Sequence, residues 1–208
     1  MNNRPARAIV STAYFPPVEY FMAASDTGCI LIEDSGSYVK QSYRNRCRIY
    51  ACDGILSLTV PVLQPQGARD IRGVRIDYSK PWLQQHERAL ISAYRTSAFF
   101  EYYQDDIFPI LDSRPETLFE LNTALTIRLT ELLGLKCAVS FTGDFRKEYG
   151  QDTMDLREAI HPKKPVPDVF KSRFKPYYQV FSEKYGFISG LSVLDLLFNE
   201  GPNAISFL

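Results

Sequence analysis

The densest run of chemistry-bearing residues in this 208-residue chain is Lys40-Gln41-Ser42-Tyr43-Arg44-Asn45-Arg46, with Arg48 just beyond. Arginine offers a planar fork to phosphate or carboxylate, and lysine a compact positive charge. Read for function, the run grips a small anion, such as a nucleotide-sugar phosphate. Read structurally, it is a solvated edge strand, because edges carry charge to prevent further pairing. If the segment is a strand, Arg44 and Arg46 point to one face. Two adjacent cations need an anion between them, and Glu33 and Asp34 are the internal candidates.

Glu33-Asp34 follows the apolar run Cys29 to Ile32. At the C-terminal end of a parallel strand, carboxylates can bind a metal, hold a ribose or act as a base. They can equally cap a turn. There are two histidines. His86 shares a helix face with Trp82 and Leu90, the usual setting of a satisfied core residue. His161 sits in a proline- and lysine-rich loop, where a ring is free for proton transfer or simply exposed. Tyr14, Phe15, Tyr20, Tyr38, Tyr43, Tyr102, Tyr103, Tyr177 and Tyr178 surround these motifs in sequence. They suit packing on sugars or bases, or filling a core with hydroxyls at its rim. The four cysteines, at 29, 47, 52 and 137, form no CxxC pair, so their spacing speaks against zinc and for free, structural thiols. No P-loop, GxGxxG turn, GxSxG elbow or HExxH helix is present.

The elements that position these groups follow from apolar periodicity. Ala8 to Ala13 predicts a strand, Val18 to Ala24 a helix after Pro16-Pro17, and Cys29 to Ile32 a second strand. Strand, helix and strand at this spacing predict a βαβ unit with a parallel pair. Arg44 to Ala51 and Ile55 to Leu63 predict a hairpin about Asp53-Gly54, and Val74 to Tyr78 a further strand. Helices are predicted over Pro81 to Thr96 and over Phe99 to Leu111, the latter broken at Pro109. A third is predicted from Pro115 to Leu133, with Ser113 and Glu116 as a capping box. Lys136 to Phe141 predicts one more strand. Beyond Gly143 the chain reads as irregular, with closing helices over Tyr177 to Tyr185 and Leu191 to Asn199. The expected fold is α/β: a strand-helix-strand unit and a hairpin in a mixed sheet, with a mainly helical second half. The expected organisation is one domain over 1–208, sheet-rich over 1–80, helical over 81–142 and proline-rich over 143–208.

Twenty-four basic and 24 acidic residues cancel, so no global field favours nucleic acid or an acidic membrane. The polar start, Met1 to Arg7, and the short apolar run after it do not form a secretion signal. No stretch reaches the roughly 20 apolar residues of a membrane helix. A cytoplasmic, soluble protein is the expectation.

Tyr14-Phe15-Pro16-Pro17 with Glu19-Tyr20-Phe21 resembles the opening motif of the WbqC-like family, and Lys40 to Arg46 its second motif. Leu58-Thr59-Val60-Pro61-Val62, Trp82 with His86, Tyr94, Phe99-Phe100 and Leu121-Asn122 follow in the family's order. The ending, Leu191 to Pro202, is similar to that of its Bacteroidetes-type members. One departure stands out: many members carry His-Gln-Pro where this chain has Val10-Ser11-Thr12. The resemblance implies a part in making or modifying surface glycans such as O-antigen or capsule.

Two functional hypotheses result. In the first, the chain is an enzyme acting on a sugar nucleotide or similar anionic metabolite. Lys40, Arg44 and Arg46 hold the anion, and Asn45 and Tyr14 orient the substrate. Glu33 or Asp34 serves as acid, base or metal ligand, and His161 transfers a proton. In the second, which the missing His-Gln-Pro motivates, it is a non-catalytic binding or scaffold protein in a glycan assembly system. Cofactor and oligomeric state are left open.

Overall fold

The computed structural model describes residues 5–63 and 70–208; Met1 to Arg4 of the polar start lie outside them. The expected βαβ unit forms. β1 (Arg7–Ser11) leads through α1 (Val18–Thr27) to β2 (Cys29–Glu33), which lies parallel to β1 with Ser11 opposite Glu33. Ala8, Ile9, Val10, Ile30 and Ile32 are wholly or almost wholly buried, as the unbroken apolar runs require of a sheet covered on both faces. Gly28 ends α1 at φ 64°, and its N–H bonds to the Ala24 carbonyl. That is the left-handed cap for which glycine has no steric penalty.

The fold is α/β, and its four-stranded sheet is entirely parallel. β3 (Arg46–Ala51) and β4 (Gly54–Thr59) form the hairpin, which stands as a separate two-stranded sheet. β3 starts at Arg46, so Arg44 lies in the turn before it, and the same-face argument for the two arginines does not apply. The expected strand over Val74 to Tyr78 is absent. Its backbone instead stitches two segments together, with Leu63 N–H bonding to Arg75 O and Ile76 N–H to Glu116 O.

Three long helices follow: α2 (Trp82–Tyr94), α3 (Phe100–Asp112) and α4 (Leu118–Leu132). α3 runs unbroken through Pro109, which sits in its last turn. There the missing N–H removes a single helical bond. α4 buries Leu118, Leu121, Leu125 and Leu129 completely. Its capping box is Thr117 with Glu120, four residues beyond the expected Ser113 and Glu116. Ser113 instead bonds back to Ile110 O. Thr117→Ala is therefore expected to cost about 1 kcal/mol in urea unfolding, and Ser113→Ala less than about 0.5 kcal/mol. Equal effects would contradict this cap.

β5 (Ala138–Phe141) adds parallel to β2, and β6 (Thr153–Asp155) adds to the far side of β1, giving the order β5-β2-β1-β6. β6 lies in the stretch expected to be irregular. Single turns α5 (Asp168–Lys171) and α6 (Ser182–Tyr185) precede α7 (Val193–Glu200). The expected helix over Tyr177 to Tyr185 shrinks to that single turn. Tyr177 and Gln179 both donate at 2.7 Å to the fully buried Asp195 carboxylate of α7, holding their segment extended across it. All four cysteines are free thiols. No helix among the described residues is long and apolar enough to cross a membrane.

Candidate functional site

From β1 the chain builds the sheet outward through β2 to β5, then crosses to place β6 on the other flank of β1. Such a switch leaves a crevice beyond the C-terminal strand ends, where open α/β sheets hold ligands. An open cleft of about 730 Å³ lies at this edge. Glu33, Gly36, Arg44, Phe145, Arg157 and Glu158 line it, with Asp155, Lys147 and Lys164 nearby on its walls. A small, partly open cavity of about 10 Å³, room for about one water, adjoins it between Ser11, Thr12, Leu156 and Ile160. Arg44 lines both spaces.

The two expected carboxylates sit at this edge, and both are engaged. Glu33 accepts from Arg157 at 2.8 Å, Thr142 Oγ1 at 3.0 Å and Ser35 N–H at 3.0 Å. Asp34 accepts from Gly143 N–H at 2.9 Å, lies 2.8 Å from Thr142 Oγ1, whose one proton it shares with Glu33, and pairs with Arg72. These bonds tie the loop after β2 to the loop after β5. Arg157 is the hub. It also binds Asp155 and the carbonyls of Arg146 and Lys147, and it lies over the rings of Phe145 and Tyr149.

The internal partners of Glu33 and Asp34 are thus Arg157 and Arg72. Arg44 is only 8% exposed, and among the described residues its guanidinium has no hydrogen-bond or ion-pair partner. Burial pulls its pKa down, while the charges of Glu158 and Glu33 push it back up. Its backbone is locked in place. Arg44 N–H bonds to Ser42 Oγ at 3.3 Å, and Arg44 O accepts from Asn122 of α4 at 2.7 Å.

The other expected residues are dispersed. Lys40 is exposed in the preceding turn. Arg46 is partly buried at the start of β3, away from the cleft lining. Asn45 donates to Val60 O at 2.9 Å, and so fastens the loop to the hairpin. Tyr14 is fully buried, its hydroxyl 2.9 Å from His86 Nδ1. Burial lowers the His86 pKa to about 4, so that ring is a neutral core partner. His161 is partly buried and is not among the residues lining the cleft. Burial lowers its pKa, as do Lys164, Lys163 and Arg44, against the opposing charge of Glu158. Its Nδ1 accepts from Lys163 N–H at 3.1 Å.

The WbqC-like protein family matches residues 12–164. The chain belongs to that family. The WbqC-like span contains every cleft residue from Glu33 to Lys164. Over 225 aligned residues the chain is 29% identical to Uncharacterized protein Rv1507c of Mycobacterium tuberculosis, covering 97% of this chain and 96% of that protein. No solved structure matches. Val10, Ser11 and Thr12, just before Tyr14-Phe15-Pro16-Pro17, line the small cavity at the end of β1.

Sequence reasoning missed Arg157, Glu158, Lys164 and Phe145. The signal was faint: a three-residue strand, Thr153–Asp155, delivers Arg157 and Glu158 to the sheet edge. Phe145 stands in the loop that follows β5.

Proposed function

We propose that the cleft binds a sugar nucleotide or similar anionic metabolite, and that the chain is an enzyme acting on it in surface-polysaccharide biosynthesis, of O-antigen or capsule type. One observation carries the binding reading. Arg44 is 8% exposed as a residue, its guanidinium has no hydrogen-bond or ion-pair partner among the described residues, and it opens onto the cleft; a partly desolvated cation in that position favours an anion that completes it. Lys164 and Lys147 add positive charge on the walls. The acid/base role moves to Glu158, an exposed carboxylate in the cleft, because Glu33 and Asp34 are spent on internal bonds. Burial and the neighbouring lysines lower the His161 pKa, favouring its neutral form. With Nδ1 accepting, its Nε2 carries the proton and is a donor for a substrate oxygen.

The engagement of both Glu33 and Asp34, with Val10-Ser11-Thr12 in place of His-Gln-Pro, favours a second reading: a binding or scaffold protein without chemistry of its own.

Thermal shift with uridine diphosphate glucose, thymidine diphosphate glucose and inorganic pyrophosphate tests the binding. Wild type is expected to be stabilised by at least one of them. Arg44→Met, which keeps the apolar stem, is expected to lose that stabilisation while melting at or above the wild-type temperature without ligand. Strong destabilisation of the unliganded variant would show Arg44 to be structural and overturn the proposal. Turnover of a bound ligand that Glu158→Gln abolishes separates the enzyme from the scaffold.

A further inference from the structure

Phe145 is 61% exposed and stands on the wall of the cleft. It is also held firmly. The Arg157 guanidinium lies 5.7 Å from its ring centroid, and the same guanidinium is pinned by Glu33, Asp155 and the carbonyls of residues 146 and 147. The loop's start is fixed by Gly143, which donates to Asp34 and accepts from Ser35. One side of the ring thus rests on a fixed cation, and the rest is open. The other strongly exposed aromatic residues, Tyr102 and Tyr178, do not line the cleft. Arg44 lies in the same cleft as Phe145, so a positive anchor and a flat apolar platform face one space.

We infer that Phe145 is the stacking platform for a ring, nucleobase or pyranose, whose attached phosphate is held at Arg44. The inference rests on the anion reading of the cleft and adds to it that the ligand is a ring-bearing phosphate ester. An aromatic face accepts any flat or partly apolar ring, so the platform selects for a ring rather than for one particular base.

Calorimetric titration of wild type, Phe145→Ala and Phe145→Trp with three probes decides it: uridine diphosphate (base, no hexose), glucose 1-phosphate (hexose, no base) and pyrophosphate (no ring). Phe145→Ala is expected to weaken at least one ring-bearing probe about tenfold or more. Phe145→Trp should retain it, and pyrophosphate should stay within about twofold. The probe that weakens names the ring. If Phe145→Ala binds both ring-bearing probes within about threefold of wild type, the platform is overturned and the anion site stands. A parallel loss of pyrophosphate also overturns it, by showing that Phe145 only positions Arg157. If wild type binds none of the three, the anion reading fails and this inference fails with it.

Discussion

Arg157→Ala is expected to lower the unfolding free energy by about 3–5 kcal/mol, the usual cost of stripping one partner from a buried ion pair. Glu33 is 3% exposed, so removing its arginine leaves a carboxylate with little access to water. The loss extends beyond one pair. The 2.8 Å bond to Glu33, the 2.6 Å bond to Asp155, two carbonyl contacts and two ring contacts all end on the same guanidinium. Arg157→Lys is expected to recover less than half of the loss, because an ammonium cannot reproduce a planar fork that serves several acceptors at once. Urea unfolding of the two variants beside wild type measures both. A lysine variant as stable as wild type would show that charge alone, not the fork, holds the strand ends together. The contrast with Arg44→Met, expected to keep its stability and lose ligand, separates the structural arginine from the binding one.

Glu19→Gln is expected to stabilise the protein by roughly 2–3 kcal/mol at pH 8 and to make no difference near pH 4. Glu19 lies in the first turn of α1 at 3% exposure, and its Oε2 has no partner among the described residues. Burial raises its pKa from the ordinary 4.5 to about 7; its own backbone N–H and the charge of Arg48 oppose the shift. The native state therefore holds this proton more tightly than the unfolded chain does. Its stability contribution is complete below about pH 4.5, declines as the pH rises to about 7, and is flat above. Glutamine mimics the protonated form throughout, so the gain appears only where wild type must ionise a buried group. Asp195, whose pKa burial raises to about 6, bends the wild-type profile the same way; the difference between variant and wild type isolates Glu19. Denaturation midpoints at pH 4 and pH 8 test it. A variant less stable at pH 8 would mean that the attraction of the Arg48 charge outweighs burial.

The βαβ opening was legible because its strands are buried on both faces, and a continuous apolar run such as Ala8 to Val10 or Ile30 to Ile32 has no other use in a chain of this kind. The face of α4 was legible for the same reason, at helical spacing. Short elements were not. β6 has three residues, too few for any period, and its identity depends on pairing with a strand far away in sequence. Glu33 and Asp34 were placed correctly at a strand end. What their carboxylates do was hidden, because Arg157 and Arg72 approach from other parts of the chain. The same holds for Arg44. Its neighbours in sequence suggest a surface cluster, whereas Asn122 and the cleft walls give it a buried seat. Residue type shows which groups could do chemistry. Whether a group is already satisfied depends on long-range partners, which only the fold supplies.

The crossing from β5 to β6 also sets a schedule for the nascent chain. β1 leaves the ribosome well before β6, and its β6 flank is closed by residues such as Thr153, which Arg7 meets across 146 positions of sequence. At ordinary synthesis rates that flank stays open for on the order of ten seconds. The start of α1 waits longer still, since Pro16 and Val18 take their backbone partners from Val193 and Leu191. During that interval an apolar parallel strand with one unpaired edge is exposed to other chains. Yield in cells therefore depends on chaperone supply and growth temperature more than the finished protein's packing would suggest.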